Sequence, residues 1–211
     1  MAPPRFAVST ANKFVKRARQ VFKSAVREKL CESNPFLGVK GGSEVNDERK
    51  QFIERGLIDK AIAHAPDIEW AVIIALSRYG GLRTPSEMLR LRWGDIDWES
   101  GTFRVTSPKT KKQGKPFRIV PIFPELQKPL SDAFELAPEG TEFVIRRYRD
   151  TNANLRTQFQ RILTKAGVAP WPRLFQNLRA SRETELANEF PIHVVTEWLG
   201  NKPRVAAKHY L

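Results

Sequence analysis

The sequence predicts a mainly α-helical fold with one small antiparallel β-sheet, an α+β class. Apolar residues recur at three- and four-residue spacing in segment after segment. Only two short runs, residues 102–106 (TFRVT) and 117–122 (FRIVPI), have the β-branched and aromatic content of strands. A hydrophobic fraction of 41% over 211 residues is enough apolar surface for one core and excludes wholesale disorder.

Residues 9–29 form the first expected helix, with Phe14, Val15, Ala18, Val21, Phe22 and Val26 on one face and Lys and Arg opposite. Ser9 or Thr10 can cap its start, and it should stop before Asn34-Pro35. Gly41-Gly42-Ser43 then reads as a linker, so residues 1–45 and 46–211 are expected to be separate units. Residues 67–79 are apolar all round, which predicts a buried helix closed by Gly80-Gly81. Thr84-Pro85-Ser86-Glu87 has the form of a helix start with a capping box. The two strands flank a basic hairpin, Pro108 to Lys115, and Asp95 and Asp97 suit a turn before the first of them. Pro124 opens a helix, and residues 152–166 form another that Gly167 stops. Three more helices are expected over 173–189, 191–199 and 203–210.

The net charge of +13 favours a polyanionic partner, because each phosphate that meets a Lys or Arg releases condensed counterions. No apolar run approaches the roughly 20 residues that span a bilayer, so a membrane is not expected and a cytoplasmic location is. Cys31 is the only cysteine, which rules out an internal disulfide framework. His64, His193 and His209 are too scattered for a zinc site, and no phosphate-binding glycine loop is present. If this chain cuts nucleic acid, the expected chemistry uses no metal and no cofactor. Such chemistry needs a nucleophile, cations around the phosphate and a proton donor for the leaving oxygen. Residues 81–87 (GLRTPSE), the Lys109 hairpin and the stretch from Gln176 to Tyr210 are the segments that could supply them.

These segments resemble the motifs of the tyrosine recombinases, the phage integrase family. Residues 81–98 (GLRTPSEMLRLRWGDIDW) are similar to the family's first arginine motif, and the Lys109 hairpin with RIVPI to its catalytic-lysine hairpin. Residues 174–186 (LFQNLRASRETEL) sit where the family carries a His-x-x-Arg helix. WLGN, 198–201, resembles its Leu-Gly-His turn, and HYL, 209–211, its nucleophile segment. Each motif is weak alone; their shared order from about residue 50 onward makes the resemblance specific.

The resemblance implies that Arg83 and Arg179 clamp the scissile phosphate, with Glu87 orienting Arg83. Lys109 would protonate the leaving 5′ oxygen, and Tyr210 would attack to give a 3′-phosphotyrosyl bond. Lys111, Lys112, Lys115, Arg173 and Arg182 would touch the DNA backbone. The partners implied are double-stranded DNA and copies of the same chain, a tetramer on DNA and a monomer apart from it. Residues 1–45 would be the last part of a helical DNA-clamping domain. Two positions depart from the pattern. Gln176 and Asn201 stand where the family has histidines, and neither side chain can exchange a proton near neutral pH. The expectation is a slow or conditionally active strand transferase. The rival readings are a topoisomerase using the same chemistry and a silent DNA-binding protein that keeps the fold. His209, beside Tyr210, points about 100° away from it on a helix and is not expected to serve as its base.

Overall fold

The computed structural model describes residues 7–42, 47–107, 116–150 and 154–201. Its contacts divide the chain into Met1–Lys50 and Gln51–Leu211. Lys109, Lys111, Lys112, Lys115, His209, Tyr210 and the expected helix over 203–210 lie outside the described residues.

In the first unit, α1 (Val8–Arg27) buries none of its residues. Ala7 stands at its N-cap with no side-chain bond, so neither Ser9 nor Thr10 caps it; both lie inside the first turn. The helix ends at Arg27, before the Asn34-Pro35 stop that the sequence suggests, and the following turn passes through Lys29 at a φ of 57°. The chain then folds back along α1. Asn34 Nδ2 donates to the Arg19 carbonyl at 2.9 Å, Arg19 Nε donates to the Phe36 carbonyl at 3.2 Å, and the Phe22 and Phe36 rings lie 5.2 Å apart.

The second unit is built around α3 (Ile68–Arg78), whose residues from Trp70 to Arg78 are all buried. That fits an apolar run without a polar face. Asp67 caps it by accepting from the Trp70 N–H at 2.9 Å. Three helices pack on α3: α2 (Arg55–Ala63), α4 (Pro124–Glu135) and α6 (Leu174–Glu189). The sequence reading had not singled out α2, a short helix with Gly56 in its first turn. Helix α5 (Leu155–Lys165) contributes Phe159, whose ring meets Trp70, Trp171 and Phe175 at 5.1–6.5 Å between centroids. Helix α7 (Ile192–Leu199) packs on α6 and on the sheet.

The sheet is antiparallel, in the order β1 (Ile96–Asp97), β2 (Thr102–Thr106), β3 (Phe117–Pro121). Asp97 makes the turn into β2 by accepting from the Ser100 N–H at 2.9 Å. Phe103, Val105 and Val120 alternate inward, and Arg118 lies on that same buried side of β3.

One expected element is corrected. Residues 84–87 form turns and Met88–Arg90 a short 3₁₀ helix, not the start of an α-helix with a capping box. The Thr84 hydroxyl pairs with Ser77 Oγ at 2.8 Å, and the Glu87 carboxylate turns inward to guanidinium groups. Both groups that would have closed the box are engaged elsewhere.

Candidate active site

Three arginines distant in sequence meet around one carboxylate. Arg83 comes from the turn after α3, Arg118 from β3 and Arg179 from the middle of α6. The carboxylate is Glu87, which is fully buried as a side chain. Arg118 grips it with a two-pronged pair, NH1 to Oε1 at 2.9 Å and NH2 to Oε2 at 2.8 Å. Arg83 NH1 donates to Oε1, its backbone N–H donates to Oε2 at 2.9 Å, and Arg179 NH1 lies 4.0 Å from Oε2. Burial works against the charged form of Glu87. The hydrogen bond and charge of Arg118, followed by the charges of Arg83 and Arg179, outweigh it and bring the pKa down to about 2.

The same arginines also close the end of α7. A helix leaves its last carbonyls without internal partners. Arg118 Nε donates to the Trp198 carbonyl at 2.6 Å, Arg179 NH2 donates to the Leu199 carbonyl, and Arg83 NH2 donates to the Gly200 carbonyl at 2.7 Å. Arg179 NH1 donates to the Gly81 carbonyl as well, so its guanidinium joins the turn after α3 to the turn after α7. That approach depends on Gly81. It has a φ of 60°, and a Cβ there would lie 2.3 Å from Leu199 Cδ2.

The charge of this cluster is unbalanced. Three guanidiniums face the one carboxylate of Glu87, which balances only one of them, and Glu183 lies near Arg179 and Arg83. Arg118 and Arg179 are almost wholly buried, whereas the Arg83 side chain keeps 20% of its surface exposed. Arg83 Nε–H has no acceptor among the described residues, and its NH1 lies 3.5 Å from Ser107 Oγ, where β2 leads into the basic hairpin. A partly exposed planar donor in a positively charged cluster is suited to bind an oxyanion.

Gln176 is exposed on α6, three residues before Arg179 and therefore on the same helix face. Asn201 follows α7, and its Nδ2 donates to the buried Glu183 at 2.6 Å. Arg173, partly buried, stands at the start of α6 in a left-handed conformation. Arg182 is only 4% exposed, so the expected contact with a DNA backbone does not match its position. Its guanidinium lies 4.2 Å from the Phe123 ring centre and pairs with Glu125 and Glu185 at 3.3 and 3.4 Å. Two residues of the cluster were missed by sequence reasoning, Arg118 and Glu183. The signal for Arg118 was available: a charged residue at an inward position of an alternating strand needs a buried partner. Glu183 lies one helical turn beyond Arg179, a spacing that places both on one face.

Among the described residues no group of His, Cys, Asp or Glu could hold a metal ion, and no helix is long and apolar enough to cross a membrane. A family model described as the phage integrase family matches residues 52–211. No curated relative matches the chain. Among solved structures, a lambda integrase dimer bound to a core site is 18% identical, with a TM-score of 0.71 over 92% of this chain and 72% of that one. The Tn1549 transposon integrase in complex with circular intermediate DNA is 15% identical, with a TM-score of 0.75 over 98% of this chain and 76% of that one. A lambda integrase tetramer bound to a Holliday junction is 18% identical, with a TM-score of 0.72 over 92% of this chain and 57% of that one. At these identities the likeness is one of fold.

Proposed function

Because the chain belongs to the phage integrase family, we propose that it cleaves and rejoins strands of duplex DNA through a phosphotyrosyl link on Tyr210. The observation that carries the proposal is the meeting of Arg83 and Arg179, nearly a hundred residues apart, in one cluster with excess positive charge. In this reading the tyrosine gives its phenol proton to water, its oxygen attacks phosphorus and the bond to the 5′ oxygen breaks. The departing electron pair goes to that oxygen, and Lys109 supplies its proton. The phosphodiester energy is conserved in the new ester, so a 5′ hydroxyl can reverse the step without a nucleotide. Arg83 and Arg179 stabilise the charge on the non-bridging oxygens. Glu87 keeps Arg83 in place, and Gln176 and Asn201 add neutral hydrogen bonds.

Tyr210 and Lys109, with Lys111, Lys112 and Lys115 on the hairpin, take their roles from the motifs. Arg173, at the partly open start of α6, is a DNA-backbone contact in this reading; Arg182 is not. Residues 1–45 act as the last part of a clamp on the DNA. Assembly of several copies on one DNA follows the dimeric and tetrameric lambda integrase complexes. Without the family histidines, cleavage is slow, because a missing general base typically costs about 10²–10⁴ in rate.

A duplex nicked beside the cleavage point tests the proposal, because it traps the covalent intermediate. The expected result is a protein–DNA adduct that disappears in Tyr210→Phe and falls by roughly 10²–10³ in Arg83→Ala, the usual cost of removing an oxyanion donor. Salt-sensitive DNA binding with no adduct from any form of the chain would favour the silent DNA-binding protein instead. Relaxation of a supercoiled plasmid lacking a recombination site would favour the topoisomerase.

A further inference from the structure

Glu183 is buried and bonded to Asn201, and the reaction above gives it no role. The Glu183 residue has no exposed surface. One carboxyl oxygen, Oε1, accepts from Asn201 Nδ2 at 2.6 Å. The other, Oε2, is buried and has no hydrogen-bond partner among the described residues, and the same is true of Asn201 Oδ1. Among the described residues, two acceptors in one pair thus lack donors, a costly arrangement for an ionised carboxylate out of water.

A single proton supplies what is missing. A carboxylic acid and a primary amide are complementary: the acid can give its O–H to the amide oxygen while its carbonyl accepts an amide N–H. We propose that Glu183 is a positioning residue for this site, present as a neutral acid that holds the Asn201 amide in one orientation by giving a hydrogen bond and accepting one. The proposal rests on the recombinase reading of the site, since Asn201 occupies the turn that in that reading faces the phosphate.

The surroundings of Glu183 agree. Burial, the largest influence, raises its pKa above the ordinary carboxylate value. The Asn201 hydrogen bond and the charges of Arg179 on its own helix and Arg83 from the turn after α3 pull the other way and do not cancel it. Neutrality also preserves the charge of the cluster. With Glu183 uncharged, three arginines face one anionic glutamate; an ionised Glu183 would halve the surplus that attracts a phosphate. The adjoining Gly200 carbonyl accepts from Arg83, so the turn that carries Asn201 also anchors the exposed clamp arginine. Loss of protonation would therefore weaken both.

The test uses the whole chain and two readouts. The first is the ¹³C carboxyl resonance of Glu183, identified by its absence in Glu183→Gln. It is expected at the position of a protonated acid at neutral pH; titration in the ordinary carboxylate range would overturn the proposal. The second is adduct formation on the nicked duplex as pH rises. Glutamine keeps one donor and one acceptor in the same places, whereas leucine keeps neither. Glu183→Leu is expected to lose at least about tenfold of the adduct rate through misplacement of Asn201, and Glu183→Gln to restore most of that loss. The parent chain should lose activity in alkali relative to Glu183→Gln, because only the parent can ionise at this position. Equal losses for Gln and Leu, both still folded by thermal unfolding, would mean that a charged carboxylate is required, and the proposal fails. If the parent forms no adduct, the recombinase reading fails while the resonance still decides the state of Glu183.

Discussion

The larger unit contains two clusters of three arginines, and they differ in how their charge is matched. In the first, Arg83, Arg118 and Arg179 surround Glu87, with Glu183 beside them. In the second, Arg55, Arg78 and Arg182 share Glu125 and Glu185 where α2, α3, α4 and α6 meet. Arg78 is wholly buried and binds Glu185 in two-pronged fashion, at 2.6 and 2.9 Å, with a further bond of 3.0 Å to the Ile53 carbonyl. The second cluster has a surplus of one positive charge and the first, with Glu183 neutral as proposed above, a surplus of two. The second ties helices together. The first also ties elements together, through the carbonyls that end α7, but it retains a partly exposed guanidinium and an unmatched charge. Counting arginines would not separate the two, and neither would counting carboxylates, since Glu183 lies beside the first; the difference rests on the neutral state proposed for Glu183 and on the partly exposed guanidinium of Arg83.

The largest expected effect tests the claim that the second cluster is structural. Arg78→Met removes the buried charge while keeping much of the volume, and leaves Glu185 with the weaker partners Arg55 and Arg182. Breaking a buried pair typically costs about 3–5 kcal/mol, and urea unfolding should show a loss near the lower end of that range. The salt dependence of DNA binding should not change. A loss under about 1 kcal/mol, or a flatter salt dependence, would mean that Arg78 is not confined to holding the fold.

The next prediction concerns the first cluster and pH. Glu87 has its pKa lowered to about 2 from a reference of 4.5. A lowered carboxylate pKa gives stability that is fully present above the unfolded value and is lost as pH falls through the folded one. The window is therefore from about pH 4.5 down to about 2, and the amount at neutral pH is on the order of 3 kcal/mol. Glu87→Gln should be less stable than the parent at neutral pH by that order, and the gap should close across this window. Glu185, also lowered to about 2, is common to both chains and cancels in the comparison. Parallel stability curves over the whole range would show that Glu87 is not the counter-charge of the three arginines.

Legibility in the sequence followed how local each signal is. Helical periodicity and proline positions placed α3, α4, α5, α6 and α7 close to their observed ranges, and alternation placed β2 and β3. These depend on neighbours within one or two turns. The helix expected at Thr84 did not form, because the Glu87 side chain is claimed by Arg118, thirty-one positions away, a partner no local pattern reveals. Arg182 failed as a surface contact for a related reason: it is buried against Phe123 and Glu125 from another part of the chain, as well as Glu185 on its own helix. The motif order brought Arg83, Glu87, Arg179 and Asn201 to attention but not Arg118 or Glu183. Strand alternation marks Arg118 as inward-facing, but which groups it and Glu183 pair with depends on long-range contacts that no local pattern reveals.

The smallest expected effect shows where the second cluster stops contributing. Arg55 bonds the same two glutamates as Arg182, to Glu125 at 2.8 Å and Glu185 at 3.2 Å, yet 48% of its side chain is exposed. Distance alone would rank it beside Arg78. Solvent screening and the entropy of holding a long side chain argue otherwise, and exposed pairs are generally worth about 0–1 kcal/mol. Arg55→Ala should therefore cost less than about 1 kcal/mol in the same urea titration, and high salt should remove most of the difference from the parent. A loss as large as that of Arg78→Met would mean that the cluster acts as one cooperative unit, with its rim as important as its centre. In that case the contrast with the Arg83 cluster would rest on burial of the whole group and not on the matching of individual charges.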